Sequence, residues 1–201
     1  GPAYAAKGRV AEVQSLFAHL YREASVTRHA PLLTVPFETR LEVVAEPESH
    51  RWVEVRLPDD RSGWIQTGDV AFDAKPLTIA EMLELSHRFL GLPYTWGGTS
   101  SFGYDCSGFT QMLERRRGVN MPRDAQPQAD WSGVAPVERQ DLAPGDLLFF
   151  GSSAKHITHT GMYLGNGKFI DATTYGTPTV QVDDLNDAHW TTLLVAARRV
   201  K

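Results

Sequence analysis

Thr95-Trp96-Gly97-Gly98-Thr99-Ser100-Ser101-Phe102-Gly103-Tyr104-Asp105-Cys106-Ser107-Gly108-Phe109 carries a glycine-rich loop into the start of a helix, and the chain's single cysteine sits at that junction. A lone cysteine in a globular protein is most often an inert core residue. Cys106 has a different setting. At the first turn it faces the positive end of the helix dipole and amides with no intrahelical partner, which favour a thiolate and can receive an oxyanion. Apolar Phe109, Met112 and Leu113 lie inward and Gly118 follows the end, which predicts a helix from about Cys106 to Arg117.

Upstream, Thr78-Ile79-Ala80-Glu81 is a capping box that opens an earlier helix, with Met82, Leu85 and Phe89 at helical spacing and Gly91 and Pro93 after it. Before Asp73-Ala74-Lys75-Pro76 the pattern changes to short segments rich in Val, Trp and Ile. These are Leu41 to Val44, Trp52 to Leu57 and Gly63 to Gln66, separated by turn signals. Val53, Val55 and Leu57 alternate with Glu54 and Arg56, so one face is apolar, as in a small all-β barrel.

Downstream, strands are predicted at Asp146 to Phe150, Thr160 to Leu164, Lys168 to Ala172, Thr179 to Val182 and Thr192 to Val195. Helices followed by an antiparallel sheet define an α+β domain. A nucleophilic thiol needs a base, and of seven histidines His159 stands out because it opens a hairpin. A three-residue loop at Gly165 to Gly167 would pair Leu164 with Lys168 and put Asp171 on the face of His159, whereas a two-residue Asn166-Gly167 turn would put Asp171 on the other face. A triad of Cys106, His159 and Asp171 therefore depends on a three-residue loop.

Length and composition bound the rest. The 201 residues allow one domain and a smaller companion, and 42% hydrophobic with 22% charged residues is ordinary globular composition. Net charge −4 gives no general attraction to nucleic acid or anionic membrane, and Arg115-Arg116-Arg117 is read as a basic last helical turn that complements the dipole. No apolar run approaches the roughly 18 residues of a membrane span. His156 and His159 lack the further ligands of a metal site, so neither metal nor cofactor is expected. Gly1-Pro2-Ala3-Tyr4 reads like a cloning scar, behind which a targeting segment could have been removed.

Four motifs occur in a family's order and spacing: Pro93-Tyr94-x-Trp96-Gly97-Gly98, Asp105-Cys106-Ser107-Gly108-Phe109, Pro144-Gly145-Asp146-Leu147-Leu148-Phe149-Phe150 and His159-x-Gly161-Met162-Tyr163-Leu164-Gly165. Through them residues 78 to 199 resemble the catalytic domain of the NlpC/p60 bacterial cell-wall peptidases, a relative of the papain fold. The N-terminal region resembles a bacterial SH3-type (SH3b) domain. The expected boundaries are 8 to 73 for the barrel and 77 to 201 for the catalytic domain.

The resemblance implies Cys106 as nucleophile, His159 as base and Tyr94 as a hydroxyl near the oxyanion. The third catalytic position, usually His in the family, is Asp171 here, and a carboxylate can still orient the imidazole and stabilise its charge. In Pro122-Arg123-Asp124-Ala125-Gln126, alanine stands where relatives commonly place serine. Trp96, Arg123 and Asp124 are read as substrate contacts with Asp105 and Ser107. The implied substrate is a peptidoglycan stem peptide cut between γ-D-glutamate and the L-diamino acid, its free N-terminal L-Ala held by Asp105, Ser107 and a barrel tyrosine. By elimination among six tyrosines that one is Tyr21. Asp105 as a plain helix cap is the alternative reading of that residue. Other readings of the whole are a wall-peptide binding protein with little or no turnover, or an amidase or acyltransferase using the same Cys and His. The expected location is the bacterial envelope, periplasmic or secreted, with cytoplasmic recycling as the alternative.

Overall fold

The computed structural model describes residues 4–5, 8–45 and 50–201, so Gly1 to Ala3 of the supposed scar lie outside the described residues. The chain divides into two compact units, Gly1–Lys75 and Pro76–Lys201.

The first unit is all β: β1 (Val10–Val13), β2 (Phe17–Leu20), β3 (Leu33–Pro36), β4 (Arg40–Ala45), β5 (Trp52–Arg56), β6 (Ser62–Gln66) and β7 (Val70–Phe72). β6-β5-β4-β1-β7 form one antiparallel sheet, and β2 pairs with β3. Alternation works as the residues demand: Val53, Val55 and Leu57 point into a core with Ala11, Val13, Leu20, Leu41 and Ile65. β1 to β3 carry no run that stands out in the sequence.

The second unit begins with α1 (Ile79–His87), whose capping box is present, with Thr78 Oγ1 accepting from the Glu81 amide and the Glu81 carboxylate accepting from the Thr78 amide. A two-stranded ribbon, β8 (Thr99–Ser100) and β9 (Gly103–Tyr104), precedes α2 (Cys106–Arg116). Then follow α3 (Ala125–Asp130), β10 (Val134–Pro136), β11 (Leu147–Ser153), β12 (His156–Gly165), β13 (Lys168–Thr173), β14 (Thr179–Asp184), α4 (Ala188–Leu193) and β15 (Leu194–Val200). The large sheet is antiparallel in the order β10-β15-β11-β12-β13-β14. Buried Phe89, Tyr104 and Phe109 meet edge to face at 5.7–5.9 Å, tying the chain after α1 and the ribbon to α2.

Close backbone approach explains two glycines of the opening stretch. A Cβ on Gly98 would lie 2.2 Å from the Gly103 carbonyl oxygen, and one on Gly108 would lie 2.3 Å from the Gly98 carbonyl oxygen. The loop therefore crosses directly over the first turn of α2.

Two expectations are corrected. Thr192 to Val195 is not all strand: α4 runs to Leu193, started by Asp187, which caps the His189 amide at 2.8 Å. Thr191 and Thr192 return their hydroxyls to the Leu185 and Ala188 carbonyls, so these β-branched residues stay in the helix. The second correction concerns the hairpin. Gly165 pairs with Lys168, so the loop is the two-residue Asn166-Gly167 turn, both residues at positive φ (51° and 73°). Met162 nevertheless pairs with Ile170 and Tyr163 with Phe169, because a bulge at Leu164 absorbs one residue. The bulge restores the register of a three-residue loop, and Asp171 returns to the face of His159.

Gly165 closes the bulge at φ 100°, with Pro144 Cγ 3.4 Å from where a Cβ would stand. Gly165→Ala should therefore destabilise the unit by about 1–3 kcal/mol, read as a lowered midpoint in thermal unfolding. An unchanged midpoint would mean that the bulge does not need glycine.

Candidate active site

The site is assembled by α2, β12 and β13. Cys106, the first residue of α2, is 8% exposed. His159 on β12 lies opposite Phe150 of β11, and its Nε2 is 2.6 Å from Asp171 Oδ2 on β13. Cys106 is the other group whose interactions favour the charged imidazole. With Nε2 on the carboxylate, Nδ1 is the ring nitrogen left for sulfur.

Burial sets the electrostatics. It acts to lower the affinity of His159 for its proton, but the hydrogen bonds to Asp171 and Cys106 and their charges outweigh it, and the pKa rises from 6.5 to about 10. The Asp171 side chain has no solvent exposure, and burial pushes its carboxyl up from 3.8 to about 6. The hydrogen bond and charge of His159 oppose that rise, and Asp183 adds to it. The carboxylate thus favours the protonated form of His159, and Asp171 Oδ1 is buried with no hydrogen-bond partner among the described residues. Such an arrangement keeps a proton on His159 beside the sulfur, ready for an amine leaving group.

A cleft of about 630 Å³ opens over Cys106. Tyr94 and Trp96 line one part of it, and Trp96 is 89% exposed, unusual for so large a ring. Burial, followed by the negative charges of Cys106 and Asp105, raises the pKa of Tyr94 against the pull of Arg123, so its hydroxyl keeps its proton.

Asp105 caps α2 by accepting from the Gly108 amide at 2.7 Å, as its alternative reading anticipates. It does more than cap. Arg123 grips both of its oxygens at 2.9 and 2.6 Å and donates to Ser107 Oγ at 2.9 Å, while the Gly97 amide adds a contact at 3.1 Å. Asp105, Ser107 and Arg123 thus form one network on the cleft wall. Asp124 stands at the start of α3 with no side-chain capping bond and also lines the cleft.

Tyr21 lies in the first unit, where its ring is 7% exposed and meets Trp52 edge-on at 5.7 Å. Two residues of the site region have no counterpart among the sequence-derived candidates. Buried Gln128 donates to the Ser107 and Pro122 carbonyls and accepts from Thr110, tying α3 to α2. Trp190 of α4 stacks on His159. The sequence predicts a strand at Thr192 to Val195 with no helix before it, whereas Trp190 lies in α4.

With this geometry in view, the comparisons are specific. The sequence profile described as NlpC/P60 family matches residues 91–199, and that described as YKFC SH3b2 domain matches residues 13–72. The chain belongs to the NlpC/P60 family, as a papain-like α+β domain preceded by an SH3-like barrel. A gamma-D-glutamyl-L-lysine dipeptidyl-peptidase of Bacillus cereus ATCC 10987 is 38% identical over 148 residues, covering 69% of this chain and 42% of that protein. The Bacillus subtilis strain 168 protein of the same name is 38% identical over 126 residues, covering 61% and 41%. The crystal structure of an NlpC/P60 family protein from Bacillus cereus ATCC 10987 superimposes with a TM-score of 0.83 at 31% identity, covering 96% of this chain and 63% of that one. The chain thus spans about two fifths of the length of those curated relatives.

The raised pKa of His159 means that the folded state holds this proton more tightly than the unfolded chain does. Its stabilising contribution is complete below 6.5 and is lost as pH rises through about 10. The difference in thermal midpoint between wild type and His159→Gln should therefore narrow steadily from neutral pH towards pH ~10.5. A difference independent of pH would contradict the assignment.

Proposed function

We propose that this protein is a cysteine peptidase that hydrolyses peptidoglycan stem peptides at the bond between γ-D-glutamate and an L-diamino acid. The observation that carries the proposal is the buried 2.6 Å contact between His159 and Asp171, whose carboxylate, with Cys106, favours the charged imidazole. The names of the two Bacillus relatives support the choice of bond.

In this reading the Cys106 sulfur attacks the γ-carbonyl carbon, and the carbonyl oxygen becomes an oxyanion near the first amides of α2 and the Tyr94 hydroxyl. His159 gives its proton to the leaving amine, and the carbon–nitrogen bond breaks, leaving a thioester. Water then attacks that thioester, His159 takes up the water's proton, and the acid product departs. Asp171 holds the imidazole by Nε2 and balances its charge throughout. Each of these steps uses groups the chain itself carries.

Recognition of the peptide belongs to the same proposal. Trp96 and Asp124 flank the acyl segment. The free amine of the N-terminal L-Ala meets Asp105 and Ser107, and Tyr21 is tested as a further contact. Asp105 already satisfies Arg123 and two amides, so an arriving ammonium must share its carboxylate with Arg123. Peptides of the bacterial envelope, periplasmic or extracellular, are the substrates this chemistry fits. No helix among the described residues is long and apolar enough to cross a membrane.

Mass analysis of products from L-Ala-γ-D-Glu-L-diamino-acid peptides tests the proposal. Wild type should release L-Ala-γ-D-Glu and the free diamino acid, and Cys106→Ala should lose at least ~1,000-fold in rate with its fold intact. N-acetylated peptides should be poor substrates, and Tyr21→Phe should raise KM for the free-amine peptide alone. Binding of the peptide without any cleavage by wild type would favour the binding-protein reading. Equal cleavage of acetylated and free peptides would remove Asp105, Ser107 and Tyr21 from amine recognition.

A further inference from the structure

The imidazole of His159 is flanked by two rings. Trp190 lies against it with centroids 5.1 Å apart and planes inclined by only 26°, and Phe150 approaches at 5.6 Å and 42°. Trp190 is 3% exposed and belongs to the cluster of Leu148, Phe150, Phe169, Leu185 and Ala197. Its indole Nε1 is buried and has no hydrogen-bond partner among the described residues. A residue placed there only to fill space would be better as phenylalanine or leucine, which leave no donor unsatisfied. Phe150, Phe169, Tyr175 and His189 meet the indole edge to face, and among these described contacts the imidazole of His159 is the ring that lies nearly parallel to it.

We propose that Trp190 is a positioning residue for His159. Its ring limits rotation of the imidazole, so that Nε2 stays on Asp171 and the other nitrogen stays towards Cys106. Its electron-rich face favours the charged ring over the neutral one. Together with Phe150 it also keeps water from the His159–Asp171 hydrogen bond, which strengthens that bond. The proposal rests on the reading of Cys106 and His159 as nucleophile and base.

The other groups that bear on this imidazole can be named. Cys106 comes from α2 and Asp171 from β13, with Asp183 of β14 acting on Asp171. His189 and Tyr175, stacked on each other at 3.8 Å, each meet the indole edge-on, at 4.7 and 5.4 Å. Phe150 of β11 brings no charge.

The test is the pH dependence of Cys106 alkylation by iodoacetamide in the full chain, with peptide hydrolysis measured alongside, for Trp190→Phe and Trp190→Leu. Both variants retain an apolar core side chain. In wild type, alkylation should show an upper pH limb that His159→Gln abolishes. Trp190→Leu should move that limb down by about one pH unit and lower kcat about tenfold with KM changed less than about twofold, and Trp190→Phe, which keeps a ring face, should shift it less. Where Trp190→Leu fails to fold, the same smaller shift in Trp190→Phe carries the test. Folded variants whose limb superimposes on wild type, or equal shifts in the two, would overturn the proposal. A wild-type profile with no limb that depends on His159 would instead overturn the underlying reading of Cys106 and His159.

Discussion

A carboxylate with no access to solvent is the constraint on which the site turns. Asp171 is fully buried, and a charge in such a place is tolerable only with a partner at hydrogen-bond distance. His159 is that partner, at 2.6 Å. The consequence runs in one direction: the buried negative charge favours the protonated imidazole, and in the proposed reading that is what a sulfur nucleophile and a departing amine both need. In the proposed reading Asp171 acts on the imidazole by charge as well as by orientation.

Several local devices exist to hold that pair in place. The Leu164 bulge puts Asp171 on the correct face, and Gly165 allows the backbone to make it. Gly98 and Gly108 let the loop before α2 lie directly over the helix start, where Cys106 stands. Arg123 and Gln128 lock the opposite wall, one through the Asp105 carboxylate and the other through backbone carbonyls. Each device lies within the second unit and each is local. The charge they serve is shared among three elements, α2, β12 and β13.

Much of this was legible in the residues. A lone cysteine behind a glycine-rich loop and before a helix, and a histidine and an aspartate twelve residues apart across a hairpin, are local patterns that period and turn chemistry can read. The face shared by His159 and Asp171 was reached through a three-residue loop, whereas the chain uses a two-residue turn and a bulge. Alternation counts residues and cannot see an unpaired one, so two different turns give the same face. The Arg123–Asp105 clamp joins residues 18 apart in loops, where no periodicity operates. Trp190 escapes for another reason: β-branched Thr192 reads as the start of a strand, whereas the Asp187 cap, the Thr191 amide bond to Asp187 and the two threonine hydroxyl bonds accompany a helix there.

The central claim is that His159 carries a proton at neutral pH because Asp171 does not. Nitrogen-15 NMR of the histidine-labelled protein reads this directly, since the two ring nitrogens of an imidazolium resonate close together and those of a neutral imidazole lie far apart. At pH ~7.5 both ring nitrogens of His159 should show the protonated signature and keep it well above the pH at which an ordinary histidine titrates. A neutral tautomer for His159 at that pH would contradict the account.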